Sequence, residues 1–501
     1  EQMAAMKKFH ELDIPHSGFY AEGAGATFYG EYKKEELYKV VSFGERHGFK
    51  VFSWQFPNMT QELAQELLPE CPKEELPITR NKNDEEEKLP VYIDFSHPRA
   101  KELLAAQWKD RLDAGIRGSM VDFGDVVPDE AVFYDGRRGD EMHNAYAYQY
   151  AKNYRELFEQ KYGDDHVLYT RGAAPGSQHF ACQFGGDQLT SFQGLKYAIA
   201  GGLSAAASGL PFWGVDAGGY DGFPDQETYL RWTEYAAFCP LMRFHGTEPR
   251  EPWEYDAFTV KVYRYYTWLR ENLRPYIVSV AAEAHKLGIP MMRPLAMMYP
   301  EDQEATKVWD EYLFGEDLLV APVSDETEER EIYFPEGRWI SLWNLNDEIS
   351  GPVQRSVEVP IDKIPVYIRE GSFLPLRLNE SLKLGESMSE SETEMILAVV
   401  PQNDSIVKET LYERSGAKTC CGMEKNGETI QLQISGRTAE LYVMLAGIHW
   451  KNTEAIVNGR TLTKVTAREG LYFTEGYLEL EEGILVKINP SAESVIKIQK
   501  K

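Results

Sequence analysis

Two aspartates in this 501-residue chain stand in the setting that bond-breaking carboxylates need: Asp122 in Ser119-Met-Val-Asp-Phe-Gly-Asp125 and Asp187 in Phe184-Gly-Gly-Asp-Gln188. Each sits where an apolar run that reads as a buried strand breaks into a glycine turn. In a barrel of parallel strands the C-terminal strand ends converge on one pocket, so two distant aspartates are able to flank a single bond. Two carboxyl groups in different protonation states are the equipment of glycoside hydrolysis: one attacks the anomeric carbon and the other protonates the leaving oxygen. Asp122 suits the nucleophile, because Met120, Val121 and Phe123 make its strand stiff and apolar while Gly124 frees the approach. Asp125 and Asp129 compete for that role, and an Asp at a strand end also serves as helix cap or turn former. Gly185-Gly186-Asp187 is, by the same reasoning, a common turn. Asp216, in Trp213-Gly-Val-Asp-Ala-Gly-Gly219, repeats the pattern at a third strand end. Arg171 ends the run Val167-Leu-Tyr-Thr170, where burial demands a carboxylate partner. His245 follows Met242-Arg-Phe244 and is suited either to a sugar hydroxyl or to a structural hydrogen bond.

The elements that must position these residues are legible as an alternation of short β-rich runs with longer amphipathic ones, the pattern of parallel sheet with crossover helices. Seven strands are predicted: 17–22, 50–56, 118–123, 166–171, 180–185, 210–215 and 241–245. Between them, 33–47, 98–114, 144–162, 193–208 and 226–237 carry helical apolar spacing. A closed eight-strand barrel needs one more strand, and the helical opening at Gln2–Glu11 places it before Glu1. One long helix is expected from Val260 through Tyr265, Leu269, Leu273 and Tyr276 towards His285. From about Lys307 the texture turns to short alternating strands with turn signals, among them Arg330–Phe334, Pro335-Glu-Gly337 and Ile364–Ile368. The Ser- and Glu-rich stretch 379–394 reads as a linker or exposed loop. The expected division is therefore a catalytic barrel over 1–305, a proximal β-sandwich over 306–380 and a distal β domain over 381–501.

The net charge of −27 disfavours nucleic acid and anionic membrane as partners, since both attract basic surfaces, and a neutral substrate suits it best. Five cysteines, Cys71, Cys182, Cys239, Cys420 and Cys421, show no metal-ligand spacing. Their odd number fits a reduced, cytoplasmic setting. No stretch approaches the ~20 apolar residues of a membrane span. A lost leader before Glu1 and a homo-oligomer are both compatible with the sequence.

The motifs carry a resemblance. Val121–Asp125, Met142–Tyr146, Tyr169–Gly172, Gly176-Ser-Gln178, Gly185-Gly-Asp187, Gly214–Tyr220 and Met242–His245 resemble, in order and spacing, glycoside hydrolase family 31. Leu273–Tyr276, Met291–Pro294, Gly315–Val323 and Ile364–Gly371 continue the match, which covers roughly Met3 to Pro375. The resemblance implies a retaining α-glycosidase on a (β/α)8 TIM barrel followed by two C-terminal β-sandwich domains, with no metal or organic cofactor. It also implies Asp122 as nucleophile and Asp187 as general acid/base, with Arg171, Asp216 and His245 holding the sugar in the first subsite.

The sequence shows no counterpart to the N-terminal β-sandwich and first barrel strand that the resemblance leads one to expect, and three further departures from the family pattern bear on substrate choice. Glu22 is the nearest match to an acidic residue that binds the 4-hydroxyl in many members, Met120 replaces a Trp or Lys two positions before the nucleophile, and Ala217 follows Asp216 where Ile or Cys is common. The texture resembles bacterial α-xylosidases and sulfoquinovosidases more than intestinal-type maltases. A sulfonated sugar needs an Arg/Trp clamp, and the loop 24–36 offers Lys33 and Lys34 with Phe28, Tyr29 and Tyr32, so a neutral glucoside, xyloside or galactoside ranks higher. The same scaffold also supports α-glucan lyase and transglycosylase chemistry, and a non-catalytic carbohydrate-binding fragment is the third reading.

Overall fold

The computed structural model describes residues 2–21, 34–80, 91–389, 394–403, 405–437, 439–472 and 474–501. The chain divides into two compact units, the first made of residues 1–186 with 212–214 and the second of 187–211 with 215–501.

In the first unit, parallel strands Gly18–Tyr20, Lys50–Gln55, Gly118–Val121, Val167–Thr170 and Cys182–Phe184 stand side by side in chain order. The first half of Trp213–Asp216 pairs with the last of these. Each predicted strand of this stretch is present and shorter than its apolar run, because the residues past each strand end turn away into the loops. Helix Ala100–Ala114 ends at Gly115 in a left-handed conformation, and helix Gly139–Tyr162 opens with the Glu141 carboxylate accepting from the Arg138 N–H at 2.8 Å. That helix presents Tyr146, Tyr150 and Tyr154, all fully buried, at four-residue spacing. Buried hydroxyls need partners: Tyr150 donates to the Gln55 carbonyl (3.0 Å), Tyr146 to the Ile93 carbonyl (3.0 Å), and Tyr154 accepts from the Trp108 indole (3.1 Å). The helix is thereby pinned to the end of the second strand, where the chemistry-bearing residues begin.

In the second unit the other half of Trp213–Asp216 adjoins Leu241–Arg243. Helices Phe192–Ala207 and Gln226–Ala237 start at Ser191 and Asp225, whose side chains accept from Gly194 and Thr228 N–H groups at 3.1 and 2.8 Å. The single helix expected from Val260 to His285 is two, Ala257–Asn272 and Arg274–Leu287. The break at Leu273 follows from Pro275, which has no N–H to give to the preceding turn and is tolerated in the first turn of a new helix.

A six-stranded sheet follows, in the order 292–294, 312–314, 318–320, 366–369, 329–341, 344–358. Its core holds Leu313, Leu319, Ile332, Phe334, Trp339 and Ile349. Pro335-Glu-Gly337, read from sequence as a turn, is instead a bulge inside the strand Glu329–Ser341, with the register shifting between Phe334 and Gly337. Two further six-stranded sheets form the distal sandwich around a core that includes Leu397, Leu432, Ile434, Val443, Val486 and Ile496. Met292–Pro294 lies in the proximal sheet although the expected barrel runs to 305, and Phe373–Leu378 pairs with Glu394–Val399 of the distal sandwich although the expected proximal domain runs to 380. The predicted linker is also tied down: the Gly385 N–H donates to the Asn272 carboxamide oxygen at 2.7 Å, and Asn272 Nδ2 donates to the Arg377 carbonyl at 3.0 Å.

Candidate active site

In the first unit Asp122 follows the strand Gly118–Val121 and is 5% exposed. Its backbone N–H continues the ladder to the Gln55 carbonyl (3.0 Å), which fixes where the side chain starts. Both carboxylate oxygens then meet donors: the Trp54 indole Nε1–H on Oδ2 at 3.1 Å, and the Phe123 N–H on Oδ1 at 2.9 Å. Phe123 adopts a left-handed backbone (φ +57°), uncommon for a non-glycine residue, which turns its N–H back onto the preceding carboxylate. Its ring stacks on Phe56 (centroids 4.4 Å apart) and lies under the Arg171 guanidinium (4.1 Å).

Arg171 is brought to Asp122, with Nε 3.8 Å from Oδ1, and to Asp125, with Nε 3.4 Å from Oδ2. The expected carboxylate partner is thus supplied twice. Asp125, a rival for the nucleophile, pairs with this arginine, while Asp129 is exposed. Met120 is buried inside the strand, its Cα registered with Trp54 on one side and Tyr169 on the other. Glu22 and the loop residues Phe28, Tyr29, Tyr32 and Lys33 lie outside the described residues.

The second unit holds Asp187, Asp216 and His245. Asp187 is exposed immediately after Gly186, whose φ of +76° shows the turn that its glycines were expected to permit. Its neighbour Gln188 is buried, and the Gln188 side-chain oxygen accepts from the Asp216 N–H at 3.3 Å. Asp216 is fully buried at the end of its strand and forms an ion pair with Arg243. The Arg243 carbonyl accepts from the Ala217 N–H at 3.0 Å, so main chain and side chain both fasten these two strand ends. His245 packs near Tyr220, with ring centroids 5.4 Å apart. Burial, with the Arg243 and Arg250 charges adding to it, pushes the His245 imidazole down to about 3, so the ring is neutral near pH 7 and offers one donor and one acceptor.

Sequence reasoning missed Trp54, Phe56 and Arg250 and passed over Arg243. Trp54 and Phe56 lie at the end of a strand already predicted, and a tryptophan at a barrel strand end was the available signal. Among the described residues no group of three or more His, Cys, Asp or Glu side chains is placed to hold a metal ion.

Comparison with known proteins agrees with these motifs. Residues 1–280 match the model of the glycosyl hydrolases family 31 TIM-barrel domain, and residues 288–374 match that of the glycosyl hydrolase family 31 C-terminal domain. An isomaltosyltransferase of Sporosarcina globispora is 32% identical over 430 residues, 81% of this chain and 39% of that protein. An α-xylosidase of Saccharolobus solfataricus is 34% identical over 296 residues, 57% of this chain and 39% of that protein. The chain therefore aligns with well under half the length of these relatives. In fold, a cycloalternan-forming enzyme from Listeria monocytogenes superposes with a TM-score of 0.89 at 23% identity, covering 100% of this chain and 52% of that one. With the barrel model spanning more than half of its residues, the chain belongs to glycosyl hydrolase family 31.

Proposed function

We propose that this chain acts on terminal α-glycosidic bonds of neutral sugars by double displacement, with Asp122 as nucleophile and Asp187 as general acid/base. The Asp122 carboxylate attacks the anomeric carbon while Asp187 gives its proton to the departing oxygen, leaving a glycosyl ester on Asp122 and a free leaving group. Water then attacks the same carbon, Asp187 takes its proton, and the ester bond to Asp122 breaks. The observation that carries this reading is the Asp122 carboxylate itself, buried at a strand end with the Trp54 indole aiming one oxygen and the Phe123 N–H the other. Arg171, Asp216 and His245 are proposed to hold the sugar, with Met120 and Glu22 bearing on which sugar fits. A neutral substrate is supported by Lys34, one of the two cations in residues 24–36, which is paired with Asp110 at 2.6 Å.

Transfer to a sugar acceptor in place of water is the second reading. It is favoured by the 81% coverage of this chain by a relative named isomaltosyltransferase, against 57% for the α-xylosidase. A panel of nitrophenyl α-glycosides, followed by product analysis with an oligosaccharide acceptor, separates the two: free sugar marks hydrolysis and lengthened oligosaccharide marks transfer. Asp122→Asn and Asp187→Asn are each expected to cut turnover by at least about 10³-fold with thermal unfolding nearly unchanged. Wild-type rates in either variant overturn the assignment.

A further inference from the structure

We infer that Arg250 is a positioning residue that binds the loops behind Asp216 and His245 to the segment carrying Asp187. The inference rests on the reading of Asp187 as acid/base given above. Arg250 is 6% exposed and spends its guanidinium on backbone carbonyls. Nε and Nη2 donate to Gly219 O at 3.1 and 2.8 Å, Nη2 also to Tyr220 O at 3.0 Å and Gly222 O at 2.6 Å, and Nη1 to Glu248 O at 3.0 Å and Pro249 O at 3.2 Å. The first three carbonyls belong to the turn that follows Asp216, the last two to the stretch that follows His245. Carbonyls that converge on one buried side chain need several donors from one point, and the planar fork of Arg supplies them where the ammonium of Lys does not.

The connection onward runs through one peptide. Tyr220 O accepts from Arg250 and from the Thr247 N–H (2.8 Å), while the Tyr220 N–H donates to the Gln188 carbonyl (2.8 Å), one residue beyond Asp187. Gly219 presses the turn onto that same segment: it has φ +80°, and a Cβ there would lie 2.6 Å from both Leu189 O and Thr190 Cα. Arg250 therefore sets where Tyr220 sits, and Tyr220 sets the backbone beside Asp187.

The test compares Arg250→Lys with wild type on an α-glycosyl fluoride and a methyl α-glycoside of the sugar that wild type turns over. Fluoride departs with little help from an acid, whereas methoxide needs its proton. Arg250→Lys is expected to lose about tenfold or more additional kcat/KM on the methyl glycoside relative to the fluoride, and an equal loss on both overturns the proposal. Hydrogen exchange gives a reading independent of turnover. The Tyr220 and Thr247 amides are expected to be slow in wild type and to speed up in Arg250→Lys, with amides of the distal sandwich unchanged. Fast exchange of both amides in wild type overturns the clamp. Slow exchange in a wild-type protein that turns over no α-glycoside upholds the clamp as structure and refutes both the glycosidase reading and the catalytic part of the inference.

Discussion

Trp54 contributes one hydrogen bond that a phenylalanine would delete while keeping most of the ring. A neutral donor on a carboxylate is worth about 1.5–3 kcal/mol, or roughly 10–100-fold in rate if the bond matters most when the carboxylate must be aimed. Trp54→Phe is accordingly expected to lower kcat/KM by roughly 10–100-fold with little change in thermal midpoint, and steady-state kinetics on an aryl α-glycoside checks it. An unchanged kcat/KM would detach the indole from catalysis. His245 makes a pH prediction. Its folded value, about 3, lies below the ordinary 6.5, so the folded state binds fewer protons in between. The stability it contributes is complete above about pH 6.5 and is lost as pH falls towards 3. The drop in thermal midpoint from pH 6.5 to pH 4 is expected to be smaller in His245→Gln than in wild type. Asp122, Asp187 and Asp216 were legible as candidates because an acid within two residues of a glycine at a strand end is a local signal. Trp54 and Arg250 were not, because their meaning lies in what they touch: a carboxylate 68 residues away in one case and a set of backbone carbonyls in the other.

At the scale of elements, the helix Gln226–Ala237 tests how local rules hold the second unit together. Asp225 caps it, accepting from the Thr228 N–H at 2.8 Å and from the Thr228 hydroxyl at 2.9 Å. Asp225→Ala is expected to cost about 1 kcal/mol, read as a shift in the denaturation midpoint, with Asp225→Asn recovering most of it. Alternation and helical spacing located all seven strands and the helices of 34–46, 100–114, 139–162, 192–207 and 226–237 to within a few residues at most ends, because burial on a sheet or a helix face repeats with a fixed period, while the short helix Gln61–Leu67 was missed. Two of the failures share a cause. Pro275 and Pro335-Glu-Gly337 are punctuation in the sequence, yet one merely splits a helix at Leu273 and the other becomes a bulge. Whether a proline ends an element or is absorbed by it depends on the neighbouring strand or helix, which local sequence does not contain.

For the whole molecule, two buried acids, Glu311 and Glu234, act on the response to pH in the direction opposite to His245. Burial pushes the Glu311 carboxyl up to about 8, opposed by the Arg330 charge and by the Tyr333 N–H, and it pushes the Glu234 carboxyl up to about 8 against Arg231. Both lie above the ordinary 4.5, so the folded state holds protons that the unfolded chain has released. Their effect is absent below about pH 4.5 and erodes stability as pH rises through 8. The thermal midpoint of Glu311→Gln, which mimics the protonated acid, is expected to rise relative to wild type as pH goes from 5 to 8. An identical slope in the variant would refute the assignment. The net charge of −27 also resists folding more as pH rises, but it acts nearly equally on both proteins and cancels in the comparison. The sequence by itself determined the alternation of strand and helix, the change to β structure and the acidic strand ends, since periodicity, glycine turns and side-chain chemistry are written residue by residue. Tertiary structure alone decided that Trp54 aims Asp122, that Arg171 is shared with Asp125, that Phe373–Leu378 joins the distal sandwich and that Arg250 collects five carbonyls. Those are contacts between distant segments, and they exist only once burial has made unpaired polar groups costly enough to select their partners.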